Sequence, residues 1–252
     1  MKEILISGSS GFIGKRLVKA LEKEKSKIRL ISRHKQPGFE TIKCDFINDP
    51  IPIEAFEGIK TVFHLAGAAH DSYIDHEDFI KVNYIASVKL ANLAASKGVK
   101  KFIFLSTVKS VGSKTHCDCI SEASISEPKD IYGKSKRQAE ETLLEICNKT
   151  GLNITIIRPS LVYGPQVKGN LERMINGVKS GWFPPLPQVN NKRSMVHVDD
   201  VVRAILFVNS SKETKGQIYN LTDGIKYSSR EIYETICTLS GRSIPNWSVP
   251  LF

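Results

Sequence analysis

Glu3-Ile4-Leu5-Ile6-Ser7-Gly8-Ser9-Ser10-Gly11-Phe12-Ile13-Gly14 is the stretch that decides the fold. An apolar run of strand length ends in a G-x-x-G-x-x-G spacing. From Phe12 to Lys25 the residues Ile13, Leu17, Ala20 and Leu21 then recur at helical intervals. Strand, glycine turn and helix in that order form a phosphate cradle. Glycines allow a tight turn and close backbone approach to a pyrophosphate, which lies at the positive end of the helix. A glycine triplet alone is also an ordinary strand–helix turn, and its place directly after the first strand makes it a dinucleotide fingerprint. Gly8, Ser10, Gly11, Phe12, Ile13 and Gly14 are the cofactor contacts this predicts.

Moving outward, short apolar runs alternate with helical patterns. Strands are expected at Lys27–Ser32, Thr61–Ala66, Lys101–Ser106 and Leu152–Ile157, and helices at Asp78–Lys97 and Tyr132–Lys149. This rhythm argues for an α/β fold: a Rossmann-type doubly wound parallel sheet with helices on both faces. After Gly164-Pro165 the pattern changes. Gly177 to Pro187, rich in Gly and Pro, reads as a loop. A helical pattern returns at Val196–Asn209, a strand at Gln217–Leu221 and a helix at Ser229–Leu239. The expected division is a dinucleotide domain over 1–164, with the helix near 197–209 packing back on it, and a smaller C-terminal substrate lobe over 165–252. That lobe reads as incomplete at Ser248-Val249-Pro250-Leu251-Phe252.

Composition bounds the function. The 252 residues carry a formal charge of +10, with 41% hydrophobic and 25% charged residues, as in an ordinary globule rather than a disordered or fibrous chain. A basic balance admits nucleic acid, an anionic membrane or a phosphorylated small molecule as partner. Nucleic acid is disfavoured, because Lys and Arg are spread through helices without aromatic partners, and the Lys15 to Arg29 run reads as a solvated helix face. The five cysteines are odd in number and scattered, so a reducing compartment is expected. Cys117-Asp118-Cys119 lacks the second pair that zinc requires and reads as an exposed loop. No run approaches the roughly 18 apolar residues of a membrane span, and no signal peptide is recognisable. A cytoplasmic protein is the expectation.

The end of the second strand selects the cofactor. An unphosphorylated ribose is usually met there by Asp or Glu, and a 2′-phosphate by Arg. This chain has Ser32-Arg33-His34-Lys35. NADP(H), with Arg33 on the phosphate, is therefore favoured over NAD(H). Asp45 and Phe46 are expected near the adenine.

Tyr132-Gly133-Lys134-Ser135-Lys136 places a phenol and an ammonium four residues apart, on one face of a helix. A fixed ammonium favours phenolate, and so does an oxidised nicotinamide ring, so the pair is expected to exchange a proton near neutral pH. Leu105-Ser106-Thr107 ends a strongly apolar strand, at the edge where open parallel sheets bind ligands. A hydroxyl there can hold the substrate oxygen that gains or loses the proton. Each motif alone is common, and their order along the chain gives them weight.

Together with His64-Leu65-Ala66-Gly67, Lys81-Val82-Asn83, Arg158-Pro159, Val162-Tyr163-Gly164-Pro165 and His197-Val198-Asp199-Asp200, these motifs resemble the extended short-chain dehydrogenase/reductases of the NAD-dependent epimerase/dehydratase family. The resemblance implies Tyr132 as acid/base, Lys136 as its partner and ribose anchor, and Thr107 as the active-site hydroxyl. It places Leu65, Ala66 and Gly67 beside the nicotinamide, and Asn170 and Arg193 on a nucleotide diphosphate. Lys109 and Lys168 become candidates for a substrate phosphate. Ser106 to Gly112, Val162 to Asn170 and Asn191 to Ser194 look like bacterial 4-ketoreductases of UDP-N-acetyl-6-deoxyhexosamines, which serve surface polysaccharide synthesis. The implied activity is reduction of a nucleotide-linked sugar. A UDP-glucose or UDP-N-acetylglucosamine 4-epimerase and a non-catalytic dinucleotide-binding regulator are the alternatives, and a homodimer is a further expectation. No metal site is expected.

Overall fold

A computed structural model describes residues 3–69, 75–112, 119–124 and 126–250. Cys117 and Asp118 of the cysteine-containing loop, and the last two residues, lie outside the described residues. In chain order the elements begin β1 (Ile4–Ser7), α1 (Gly14–Lys23), β2 (Ile28–Ser32), β3 (Glu40–Lys43), β4 (Thr61–His64), α2 (His76–Ile80), α3 (Ala86–Ser96), β5 (Lys101–Leu105) and α4 (Ile131–Thr150). There follow β6 (Asn153–Pro159), β7 (Leu161–Tyr163), α5 (Asn170–Ser180), β8 (Arg193–His197), α6 (Val198–Ser210), β9 (Ile218–Leu221), β10 (Lys226–Tyr227) and α7 (Ser229–Leu239).

The chain divides into two compact units. The first comprises 1–159 and 199–221, and among its described residues seven strands pair in the order β3-β2-β1-β4-β5-β6-β9. Every neighbouring pair is parallel. Strands buried on both faces need continuous apolar runs, and β1, with Leu5 and Ile6, and β5, with Phe102 and Phe104, are fully buried. The strand order reverses between β1 and β4, so the loops leaving those two strands flank the crevice where open sheets of this kind take ligands. In α1 the buried Leu17, Val18 and Leu21 form the stripe facing the sheet.

The second unit comprises 160–198 and 222–252. Its described strands form a small sheet in the order β10-β8-β7. Here the sequence reading needs correction, because Gly177 to Ser180 belong to α5 rather than to a loop. Gly177 is where Phe183 packs on the helix, and a Cβ there would stand 3.0 Å from the Phe183 ring. Glycine at that point serves close packing rather than a turn.

Two further expectations are corrected in the first unit. The helix expected over Asp78–Lys97 is interrupted by a π-turn at Lys81–Ile85 with Asn83 buried at its centre. Arg29, placed by sequence on a solvated face, is largely buried. Its Nε donates to Glu40 at 2.6 Å, and Nη1 to the carbonyls of Glu54, Ala55 and Glu57 at 3.0–3.2 Å. Three converging carbonyls are what draw the guanidinium in.

Candidate active site

The glycine turn is built as a cradle. Gly8 has φ +74°, a left-handed conformation that favours glycine, and a Cβ on it would stand 2.5 Å from the Ala66 nitrogen. A Cβ on Gly14 would likewise strike the Gly8 carbonyl. The turn is closed by the Gly11 N–H on the Gly8 carbonyl at 3.0 Å, leaving Ser10 and Gly11 exposed before α1. These residues fit a pyrophosphate at a helix N-terminus. Phe12 and Ile13 are half-buried, and Arg16 stacks over the Phe12 ring at 4.8 Å.

The turn after β2 borders this cradle, since Gln36 Nε2 donates to Ser9 Oγ at 2.6 Å. Arg33, His34 and Lys35 are exposed on the same turn. Asp45 accepts from Ile47 N and Asn48 Nδ2 in its own turn, both at 3.1 Å. Phe46 lies half-buried, edge-on to His64 at 6.1 Å.

Behind the cradle runs a directed chain of hydrogen bonds. Ser87 Oγ donates to the Asn83 carbonyl at 2.7 Å, so it accepts from His64 Nε2 at 2.8 Å. His64 Nδ1 then accepts from Ser7 Oγ at 2.6 Å, and Ser7 Oγ accepts from the Ala66 N–H at 3.3 Å. One tautomer satisfies every partner, with the proton on Nε2. Burial, and then the Lys136 charge, push His64 down to about 3, so it stays neutral. The 65–67 loop is thereby pinned to β1 and α3. Asn83, in the π-turn, continues the chain by bonding both Ala68 backbone groups, at 2.9 and 3.0 Å, and Ser135 Oγ at 3.1 Å. π-turns often mark functional sites, and here the widened turn aims an amide into the core beside α4.

Helix α4 is capped by Asp130, whose Oδ1 accepts from Gly133 N at 2.6 Å. Its second residue is Tyr132, half-buried. Lys136, 3% exposed, donates from Nζ to the Leu105 carbonyl at 3.0 Å, with the ammonium 4.4 Å from the Phe104 ring centroid. Gly67 makes room for it, because a Cβ there would stand 3.1 Å from Nζ. Thr107 follows β5 in extended conformation and caps the 3-10 turn Val108–Val111, its Oγ1 accepting from Lys109 N at 3.3 Å. The first unit thus brings the glycine cradle, the 65–67 loop, Lys136, Tyr132 and Thr107 together at the carboxyl ends of β1, β4 and β5.

Burial shifts both groups toward their uncharged forms. Burial pushes the Tyr132 phenol up to about 12, and a hydrogen bond with Thr107 only partly offsets this. Burial also pulls Lys136 down to about 8, against the neighbouring Glu140 charge. The ammonium donates to the Leu105 carbonyl, and burial keeps the phenol neutral at physiological pH.

The sequence model of the NAD dependent epimerase/dehydratase family matches residues 4–222. The chain belongs to that family. Its members are enzymes of the extended short-chain dehydrogenase/reductase type. Among the similar proteins, UDP-glucose 4-epimerase of Vibrio cholerae is 31% identical across 99% of this chain and 79% of its own length. N-acetyl-alpha-D-glucosaminyl-diphospho-ditrans,octacis-undecaprenol 4-epimerase of Escherichia coli O157:H7 is 28% identical across 98% of this chain and 75% of its own. The solved structure of MoeE5 in complex with UDP-glucuronic acid and NAD is 25% identical, with a TM-score of 0.85 over 96% of this chain and 84% of that one. Among the described residues, no helix is long and apolar enough to cross a membrane.

Of the substrate candidates, Lys109 lies in the first unit, paired with Asp130 at 3.1 Å and 5.9 Å from the Tyr132 ring centroid. Lys168, Asn170 and Arg193 belong to the second unit and are exposed there. Asn170 opens α5, and Arg193 Nε donates to Ser229 Oγ at 3.0 Å. The first unit also holds residues to which the sequence reading gave no role, one of which, Arg158, it quoted only as part of a motif. Asp130 carries a cap signal, an acid just before a helical pattern. Glu140, one turn past Lys136 on the same face, carries none beyond its spacing, and the buried Arg158 that pairs with it was visible only through the Arg158-Pro159 motif.

Proposed function

We propose that this protein reduces the 4-keto group of a UDP-linked 6-deoxy-N-acetylhexosamine at the expense of NADPH. One observation carries the choice of a net reduction. Arg33, His34 and Lys35 stand exposed on the turn beside the glycine cradle, and no ion pair to Arg33 or Lys35 forms among the described residues. A 2′-phosphate finds cations there, where an unphosphorylated ribose would find no carboxylate. The phosphorylated dinucleotide is held in cells largely reduced, which suits a reductase.

Gly8 to Gly14 hold the pyrophosphate, Lys136 the ribose, and Leu65 to Gly67 border the nicotinamide. When bound, the dinucleotide supplies the hydride. The chain's own residues manage the proton. Thr107 hydrogen-bonds the sugar oxygen at C4 and fixes its direction. Tyr132, held neutral by burial, donates its phenolic proton to that oxygen as negative charge develops on it.

A second reading, a UDP-hexose 4-epimerase, is favoured by the relative from Vibrio cholerae. It uses the same groups, returns the hydride to the opposite face of the sugar and needs no external reductant. One experiment separates the two. Purified protein is mixed with a UDP-4-keto-6-deoxy-N-acetylhexosamine and NADPH or NADH, and loss of reduced nicotinamide is followed. The reductase reading expects consumption, faster with NADPH and lowered about 10²- to 10⁴-fold in Tyr132→Phe. Interconversion of UDP-glucose and UDP-galactose without added cofactor, and no NADPH consumption, would establish the epimerase.

A further inference from the structure

Glu140 lies on α4 one turn after Lys136 and two after Tyr132, and is 1% exposed. A carboxylate in that position requires partners, and it has three, which together make four hydrogen bonds. Arg158, also 1% exposed, donates from Nε to Oε1 at 3.0 Å and from Nη2 to Oε2 at 2.6 Å. That bidentate pair alone neutralises the charge. Yet Oε1 also receives the hydroxyl of Ser106 and lies 2.8 Å from that of Ser110.

Those two serines have a specific place, since Ser106 immediately precedes Thr107 and Ser110 closes the turn that Thr107 caps. Ser110 Oγ also lies 2.8 Å from the Thr107 carbonyl, and Ser110 N donates to the same carbonyl at 3.1 Å. One carboxylate oxygen on the phenol-bearing helix therefore grips both flanks of the residue whose hydroxyl meets the phenol. Thr107, which follows β5, and Tyr132, on α4, are about twenty-five residues apart along the chain.

We propose that Glu140 is a positioning residue that sets Thr107 against Tyr132, acting through Ser106 and Ser110, with Arg158 as its neutralising partner. The inference rests on the proton-transfer roles given above to Thr107 and Tyr132, and its test is built to fail separately from them.

The variant of choice is Ser106→Ala/Ser110→Ala, which removes the grip and leaves the Glu140–Arg158 pair intact. Glu140→Gln is the companion, and the serine pair carries the test if that variant does not fold. Two readouts are taken. In protein labelled at tyrosine 13Cζ, the Tyr132 resonance, assigned by its loss in Tyr132→Phe, reports the phenol's hydrogen bond without any substrate. Steady-state kinetics with the keto-sugar separates kcat from the KM for NADPH. The expected result is a displaced Tyr132 resonance, with kcat lowered about 10- to 100-fold, as misplacement of a reacting group produces, and KM for NADPH within about twofold of wild type. A role in folding alone predicts no such split. An unmoved resonance in the folded double variant overturns the proposal, as does an undiminished kcat. If wild-type protein turns over no sugar nucleotide while the resonance moves, the functional reading fails and the positioning role stands.

Discussion

Two buried charges on one helix, a single turn apart, are treated in opposite ways. Glu140 is saturated by a bidentate guanidinium and two hydroxyls. Lys136 has one carbonyl at 3.0 Å and an aromatic face, and burial drives it down to about 8. A saturated buried charge fixes geometry, and removing either partner leaves the other stranded. An under-satisfied one bears the cost of desolvation, and such perturbed groups cluster at functional sites. The first unit places both on α4, so the saturated charge and the under-satisfied one share a helix.

The comparison is tested hardest by replacing the cation in each region with methionine. Lys136→Met is expected to cost about 10²- to 10⁴-fold in kcat while the urea midpoint stays level or rises, because a poorly solvated ammonium has gone. Arg158→Met is expected to cost about 3–5 kcal/mol of stability, since it strands the Glu140 carboxylate. Urea denaturation of both variants beside NADPH consumption decides the matter. Equal stability losses would show that the two sites are not different in kind.

The same contrast has a pH signature. The Lys136 ammonium titrates near 8 folded and near 10.5 unfolded. Below pH 8 the amine is protonated in both states and the folded state carries the full penalty. Between the two values the folded form releases its proton while the unfolded form keeps it. The unfolded state then binds more protons, so stability rises with pH, by on the order of 3 kcal/mol. Denaturation midpoints of wild type and Lys136→Met at pH 7.5 and 10 isolate this rise, which is expected in the wild type and absent from the variant. Parallel pH dependences would mean that Lys136 is better solvated than its surroundings imply.

Much of this was legible in the sequence, for physical reasons. The glycine spacing of Gly8, Gly11 and Gly14 is dictated by backbone approach, which leaves a local signature. Tyr132 and Lys136 declare themselves by helical spacing, and Thr107 by ending an apolar strand. Three kinds of feature were hidden. Short strands such as β3 (Glu40–Lys43) and β10 (Lys226–Tyr227) carry little apolar pattern, being edge strands of their sheets. Helix α5 was obscured by Gly177, whose reason is the Phe183 ring packed on it. The grip on Thr107 joins residues 106, 110, 140 and 158, whose partnership is set by tertiary packing.

The mildest test concerns a third charged pair, at the opposite end of the exposure scale. Lys109 and Asp130 lie 3.1 Å apart, with their side chains 47% and 46% exposed. Solvent and salt screen such a pair, so Lys109→Ala should cost only about 0.2–1 kcal/mol, and less in high salt than in low. Asp130 should cost more, because the same carboxylate accepts the Gly133 N–H and caps α4. Asp130→Ala is expected to add about 1 kcal/mol for the lost cap. Denaturant midpoints at two salt concentrations measure both. If Lys109→Ala proved as costly as Asp130→Ala, the ion pair rather than the cap would be holding the start of α4. Electrostatics would then support Tyr132 from both ends of α4's first turns, at Asp130 as well as at Glu140.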